Sequence, residues 1–236
     1  MVLCYHRVST AEPHRLAVSP DAIESHLRLL LPRYEPGTAA DVVEGRRRVV
    51  HVTFDDAYRS IQAALPILER LRVPATVFVC TGFADDGRPL RIAELRDDVD
   101  AAPEEWATLR WDELRELSER GVEIGSHTVG HLHLTQLGDD ELERELRDSR
   151  AQIEDELGLA CPYLAYPFGE HDARVRRAAE QAGYEAAFAL RAKPDRWAIP
   201  RVDLYWRDRG LRGRFRLSPL VWGAAQFRPW RYGSAG

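Results

Sequence analysis

A chain of 236 residues with 44% hydrophobic and 30% charged content has room for one buried core and is composed like a soluble globular domain, neither disordered nor fibrous. Its net charge of −5 argues against a general nucleic-acid binder. No apolar run approaches the ~18 residues of a membrane span, and the opening Met-Val-Leu-Cys-Tyr-His lacks the basic and apolar regions of a signal peptide, so a cytoplasmic chain is expected.

In chain order, residues 2–5 are apolar and β-prone. Ser19-Pro20-Asp21 then opens a helix, with Ser as N-cap and Pro at the first position, running to about residue 31 before Pro32. Residues 48–54 form a strand rich in β-branched side chains that ends on Asp55-Asp56. Ile61, Leu65, Leu68 and Leu71 recur at helical spacing over residues 60–71. Strands at 75–80 and 122–125 flank an acidic insertion at 83–111 and a helix at 111–119 ended by Gly121. A long charged helix at 139–157 closes on Gly158 in a C-cap position. Strands at 164–166, 184–190 and 198–204, with a helix at 172–182, complete the series. Such β-α alternation predicts a parallel sheet with helices outside it, open or closed into a barrel. Cys4, Cys80 and Cys161 lack metal-type spacing and read as reduced, buried thiols.

The residues that carry chemistry cluster at strand ends, where parallel α/β folds place active sites. His127 and His131, four apart, can bring two ring nitrogens onto one face of a helical turn. Thr128 stands where the His-Glu-x-x-His metalloprotease pattern needs Glu, which disfavours that chemistry. The bland alternative for His127 and His131 is a pair of solvated loop histidines, and His133 is set aside as pointing elsewhere. In isolation Asp55-Asp56 is more often a helix N-cap or a pair of first-turn dipole partners; adjacent carboxylates leaving a strand tip diverge, however, so that one can bind a metal and the other act as base.

Thr53-Phe54-Asp55-Asp56, then Ser126-His127-Thr128-x-x-His131-x-x-Leu134, then Tyr166-Pro167-Phe168-Gly169 resembles the NodB-type polysaccharide deacetylases of carbohydrate esterase family 4. The likeness spans residues 1–204, taken as the catalytic domain, with 205–236 as a C-terminal extension. It implies a distorted (β/α)7 barrel and one divalent metal, most often zinc with Co2+, Ni2+ or Mn2+ as alternatives, held by Asp56, His127 and His131. It also implies Asp55 as the base and the backbone N–H of Phe168 as the oxyanion donor. The substrate implied is an N-acetylated sugar, within a polysaccharide or glycoconjugate.

Three departures stand out. Ala165 occupies the position of the family's base-orienting Arg, and Arg201 from the last strand is the candidate replacement. Ala57 follows the two acids where Gly is common. No histidine follows His171, although the family usually carries its general acid near the C-terminus. Leu3-Cys4-Tyr5-His6-Arg7-Val8 instead resembles the rearranged exopolysaccharide N-deacetylases, whose acid histidine lies near the N-terminus, which makes His6 the candidate acid. Rival readings are a deacetylase or amidase of a small cytosolic sugar or natural product, and an inactive carbohydrate-binding module on the same fold.

Two stretches lie outside these motifs. In the insertion, Trp106 and Trp111 could form a platform for a sugar ring, although core or surface packing is the commoner fate of tryptophan. Residues 206–231 carry seven arginines, three tryptophans and one acid, Asp208. That pattern suits a membrane surface or a lipid-linked anionic glycan, against the plainer alternative of a tail packed on the barrel.

Overall fold

A computed structural model describes residues 1–10, 14–190 and 194–218. Seven strands form a closed parallel barrel: β1 (Val2–Tyr5), β2 (Val49–Phe54), β3 (Ala75–Val79), β4 (Glu123–Ser126), β5 (Tyr163–Ala165), β6 (Ala186–Leu190) and β7 (Ile199–Asp203). This is the distorted (β/α)7 architecture expected from the sequence. Neighbours pair in chain order from β2 to β7, and β1 closes the ring by pairing with both β2 and β7. Every residue of β1 and β2 is buried, because the barrel interior covers one face and the outer elements cover the other. That is why these strands read as continuous apolar runs.

Helices α1 (Pro20–Leu30), α2 (Leu65–Leu71), α3 (Trp111–Glu119), α4 (Asp139–Leu157) and α5 (Ala173–Gln181) follow successive strands. Ser19 accepts a hydrogen bond from the Ala22 N–H, the N-cap expected there. One helix differs from expectation. Residues Arg59–Ala64 form a 3-10 turn, and the α-helix begins only at Leu65. Pro66 explains the break, since it has no N–H to donate and its ring crowds the carbonyl four residues back.

Register places the chemistry. Tyr5 pairs with Phe54, and the Asp55 N–H donates to the Tyr5 carbonyl at 2.9 Å. The residues just beyond the two strand ends, His6 and Asp55, therefore emerge side by side. Side chains alternate along a strand, so Cys4 shares the facing of His6, and Thr53 that of Asp55. On the other flank, Leu3 pairs with Val202, which places Arg201 within reach of Thr53 and Asp55.

The insertion builds a small core of its own from Tyr58, Cys80, Leu90, Leu95, Val99 and Trp106. Trp106 is buried edge-on to Tyr58, with the Arg7 guanidinium 4.2 Å from its ring centroid. Trp111 is buried as well and donates from Nε1 to Asp85. Both tryptophans thus pack inside the protein instead of presenting a sugar platform. All three cysteines are buried and free.

Close packing leaves no room at Gly125 in β4: a Cβ there would lie 2.6 Å from the Phe78 ring and 3.0 Å from the Tyr163 carbonyl. Gly125→Ala should cost roughly 1–3 kcal/mol, the usual range for overpacking a tight site. At about 2–4 °C per kcal/mol for a chain of this size, calorimetry should show a lower melting temperature, and an unchanged one would show that β3 and β5 give way freely.

Candidate active site

The two ends of β1 and β2, the loop after β4, the turn after β5 and the arginine of β7 meet at one end of the barrel. Asp55 and Asp56 are both buried, yet their surroundings differ. Arg201 donates from Nη1 to Asp55 Oδ1 at 2.6 Å and from Nη2 to Oδ2 at 2.8 Å, a bidentate pair with no solvent access to the guanidinium. Thr53 Oγ1 accepts a further bond from Arg201 at 3.2 Å, and the Cys4 thiol donates to Asp55 Oδ2 at 3.4 Å. Burial alone would raise the Asp55 carboxyl; the charge of Arg201 and its hydrogen bonds outweigh it and hold the group well below the usual carboxylate range. For Asp56, burial dominates and pushes the carboxyl up, with Asp55 adding in the same direction. Adjacent acids are thus driven apart.

Asp56 faces the histidines. Its Oδ1 lies 3.5 Å from His127 Nε2 and 3.3 Å from His131 Nε2, while Asp55 Oδ2 is 4.0 Å from His127 Nε2. One ligand atom from each of Asp56, His127 and His131 falls within a mutual 4.8 Å. Burial lowers both imidazoles to about 4, so both are neutral near physiological pH. His127 Nδ1 sits 2.7 Å from the Ala165 carbonyl, which can only accept. That nitrogen therefore carries the proton, and Nε2 keeps its lone pair toward Asp56. Asp56 Oδ1 has no hydrogen-bond partner among the described residues. A buried carboxylate oxygen without a donor, facing two neutral imidazoles of which His127 turns its lone pair toward it, is a donor set suited to a divalent cation, so the residues present fit the metal implied by the sequence motifs.

The spacing of the two histidines works differently from expectation. Residues 127–131 form an irregular loop, not a helical turn, with Thr128 at φ 70° and His131 at φ 56°. Side chains take over the backbone bonds that a helix would have made. Ser126 Oγ accepts from the Thr128 N–H, Thr128 Oγ1 accepts from the His131 N–H, and Glu145 Oε2 on α4 accepts from the N–H groups of Val129 and Gly130 at 3.0 and 2.8 Å. Glu145 escaped the sequence reading. Its only signal there was its place beside the buried stripe of Leu142, Leu146, Ser149 and Ile153.

The remaining candidates are also nearby. His6 is half-buried, with a ring nitrogen within 4.8 Å of both Cys4 Sγ and an Asp55 oxygen, and its ring lies 6.3 Å from that of Tyr205. Phe168 occupies a left-handed turn (φ 59°) after β5, its ring edge-on to His131 at 4.6 Å between centroids. His133, set aside from the sequence, stays outside the Asp56 group but is not remote. It stacks on Phe168 at 3.9 Å and bridges Glu170 Oε2 at 3.0 Å to Glu94 Oε1 of the insertion at 3.2 Å.

Glu145→Ala should loosen the loop that carries both histidines. Metal affinity is expected to fall about 10–100-fold, the usual effect of removing a group that supports metal ligands, with Glu145→Gln, which can still accept, recovering part of it. Titration calorimetry with Zn2+ reads this directly, and equal affinities in all three proteins would show that the loop holds its shape without that carboxylate.

The fold and the site can be set beside known proteins. Residues 43–187 match the family model described as polysaccharide deacetylase. The peptidoglycan-N-acetylglucosamine deacetylase of Bacillus cereus is 25% identical over 180 residues, 74% of this chain and 73% of its own length. The deacetylase PplD of Streptococcus pyogenes, solved with acetate, superposes with a TM-score of 0.75 at 21% identity, covering 92% of this chain and 97% of its own. IcaB from Ammonifex degensii gives a TM-score of 0.68 at 26% identity, covering 86% and 90%. The family match takes in Asp55, Asp56, both histidines and the Tyr-Pro-Phe-Gly turn, so the chain belongs to the polysaccharide deacetylase family.

Proposed function

We propose that this chain is a metal-dependent hydrolase that removes the N-acetyl group from an N-acetylated amino sugar in a polysaccharide or glycoconjugate. The observation that carries the reading is the division of labour between two neighbouring carboxylates: Asp55 is fixed in a bidentate pair with Arg201, while Asp56 faces two neutral imidazoles. Titratable neighbours pushed in opposite directions mark acid–base assignments. Family membership supports deacetylation, and the relative named for peptidoglycan N-acetylglucosamine supports an amino sugar. The catalytic unit is taken as residues 1–204.

Asp56, His127 and His131 would hold the cation. Two imidazoles and a carboxylate suit zinc, with Co2+, Ni2+ and Mn2+ as alternatives. When bound, such an ion supplies Lewis acidity toward water and the acetyl carbonyl. Asp55, kept ionised by Arg201, accepts a proton from the attacking water, and the rigid two-point contact fixes the direction in which the carboxylate presents its lone pairs. Arg201 fills the role left open by Ala165. The Phe168 N–H donates to the oxyanion that forms on the acetyl group. His6, beside Asp55 at the end of β1, delivers a proton to the departing nitrogen, which leaves poorly as an amide anion.

Three measurements test the assignment. Chelation should abolish acetate release from chitooligosaccharides, and added Zn2+ should restore it; full activity in metal-free protein would refute the reading. Asp55→Asn should remove at least about 99% of turnover, in line with loss of a general base, with bound metal by elemental analysis near the wild-type level. Metal loss in that variant would make Asp55 a ligand instead. His6→Ala should keep its metal and lose roughly 10²–10⁴ in kcat, whereas near-normal kcat would place the general acid elsewhere.

A further inference from the structure

After β7 the chain turns past Tyr205, whose ring faces His6, and forms a short helix α6 (Gly210–Arg216). One side of α6 is fixed to the barrel. Gly213 packs against the Asp208 carbonyl and the His26 ring so closely that a Cβ would lie 2.5 Å from that oxygen, and Leu217 enters the core. Arg216 pairs with Asp203 and lies 3.7 Å from Asp208. The opposite side points outward with Leu211 at 82% and Phe215 at 66% exposure, the two most exposed large apolar side chains among the described residues. They are four apart and therefore adjacent on the helix surface. Arg212 and Arg214 of the helix and Arg207 and Arg209 just before it are exposed as well, Arg212 lying 3.5 Å from Asp208 and Arg209 stacking on Trp206.

We infer that this face docks onto an anionic lipid bilayer, with Leu211 and Phe215 entering the interface and the arginines engaging lipid phosphates. Charge selects the occupant. Residues 206–231 hold seven arginines and one acid, a charge of +6, so the rest of the chain carries −5 − 6 = −11. Such concentration draws the segment toward an anionic surface while the body of the protein is repelled from it. Chemistry narrows the choice further. Isolated exposed apolar residues are ordinary, but a paired Leu and Phe with exposed arginines next to them in the chain match the apolar and basic character of an interfacial helix, and an aliphatic side chain gains nothing against nucleic-acid phosphate. No helix among the described residues is long and apolar enough to cross a membrane, so contact through α6 is peripheral. Because Tyr205 ties the start of this segment to His6, a bilayer on α6 lies beside the mouth of the site. The surface shares no residue with the site, so docking and catalysis fail independently.

Co-sedimentation of the full chain with phosphatidylcholine vesicles, with and without phosphatidylglycerol, tests the inference without reference to activity. The wild-type chain should partition onto the anionic vesicles and hardly onto the neutral ones. Leu211→Ser with Phe215→Ser should weaken that partition roughly tenfold or more, as expected for losing two buried apolar side chains. Arg212→Gln with Arg214→Gln should erase the preference for anionic lipid. Equal binding to both vesicle types, or binding unchanged by the Leu211/Phe215 pair of substitutions, would overturn the proposal. Two further outcomes would also overturn it. A dimer in light scattering that the same substitutions dissolve assigns the face to a second copy, and binding lost only on Trp222→Ser with Trp230→Ser moves the contact outside the described residues.

Discussion

The site depends on keeping one buried carboxylate charged. Asp55 lies in the barrel end with almost no solvent access, where desolvation opposes ionisation and Asp56 is its immediate neighbour. Arg201 resolves this with two parallel hydrogen bonds from a guanidinium that is itself wholly buried. Neither group is stable there without the other, since removing one partner of such a pair commonly costs about 3–5 kcal/mol. The pair also joins β2 to β7 across β1, so barrel closure and the orientation of the Asp55 carboxylate are one constraint. A first strand misplaced by one residue would turn Cys4 and His6 to the opposite face and leave Asp55 without its neighbours.

Around that pair, the polypeptide adopts conformations that L-residues rarely take. Asp56, Ala57, Thr128, His131 and Phe168 all have positive φ, and all lie in the three loops that form the site. Each such residue costs of order 1–3 kcal/mol unless its surroundings enforce the conformation. Here the surroundings do so. The Leu109 N–H holds the Ala57 carbonyl at 2.8 Å, Glu145 and Ser126 hold the histidine loop, and the Tyr166 and Pro167 carbonyls accept the next N–H groups around Phe168. The insertion contributes through Leu109 and through the Glu94–His133 contact, so Glu94 braces the site while Trp106 packs in the small core of the insertion.

Much of this was legible in the chain itself. Apolar β-rich runs alternating with helical spacing pointed to a parallel sheet but left it open or closed; the resemblance carried by three motifs at strand ends implied the closed barrel and the residues that converge. Ala165 and the missing C-terminal histidine directed attention to Arg201 and His6, because a charge or proton required at one place must be supplied from another. Other features were hidden for physical reasons. Local spacing cannot tell a helical turn from a loop whose N–H groups are satisfied by a distant glutamate, so the histidine loop was misread and Glu145 missed. His133 looked superfluous because its partners, Glu94 and Glu170, are 39 and 37 residues away. Pro66 was visible, yet the apolar period concealed the break that it imposes. For the arginine-rich C-terminal stretch, the sequence supplied charge but not orientation; the exposure of Leu211 and Phe215 supplied the orientation, and residues 219–236 lie outside the described structure.

Anomalous diffraction from crystals grown with Zn2+ would test the central claim most directly. A single strong peak is expected within bonding distance of the Asp56 carboxylate and of Nε2 on both His127 and His131, with Asp55 still held by Arg201 and outside the coordination sphere. A peak elsewhere, or an ion that takes Asp55 as ligand and breaks its pair with Arg201, would contradict that claim.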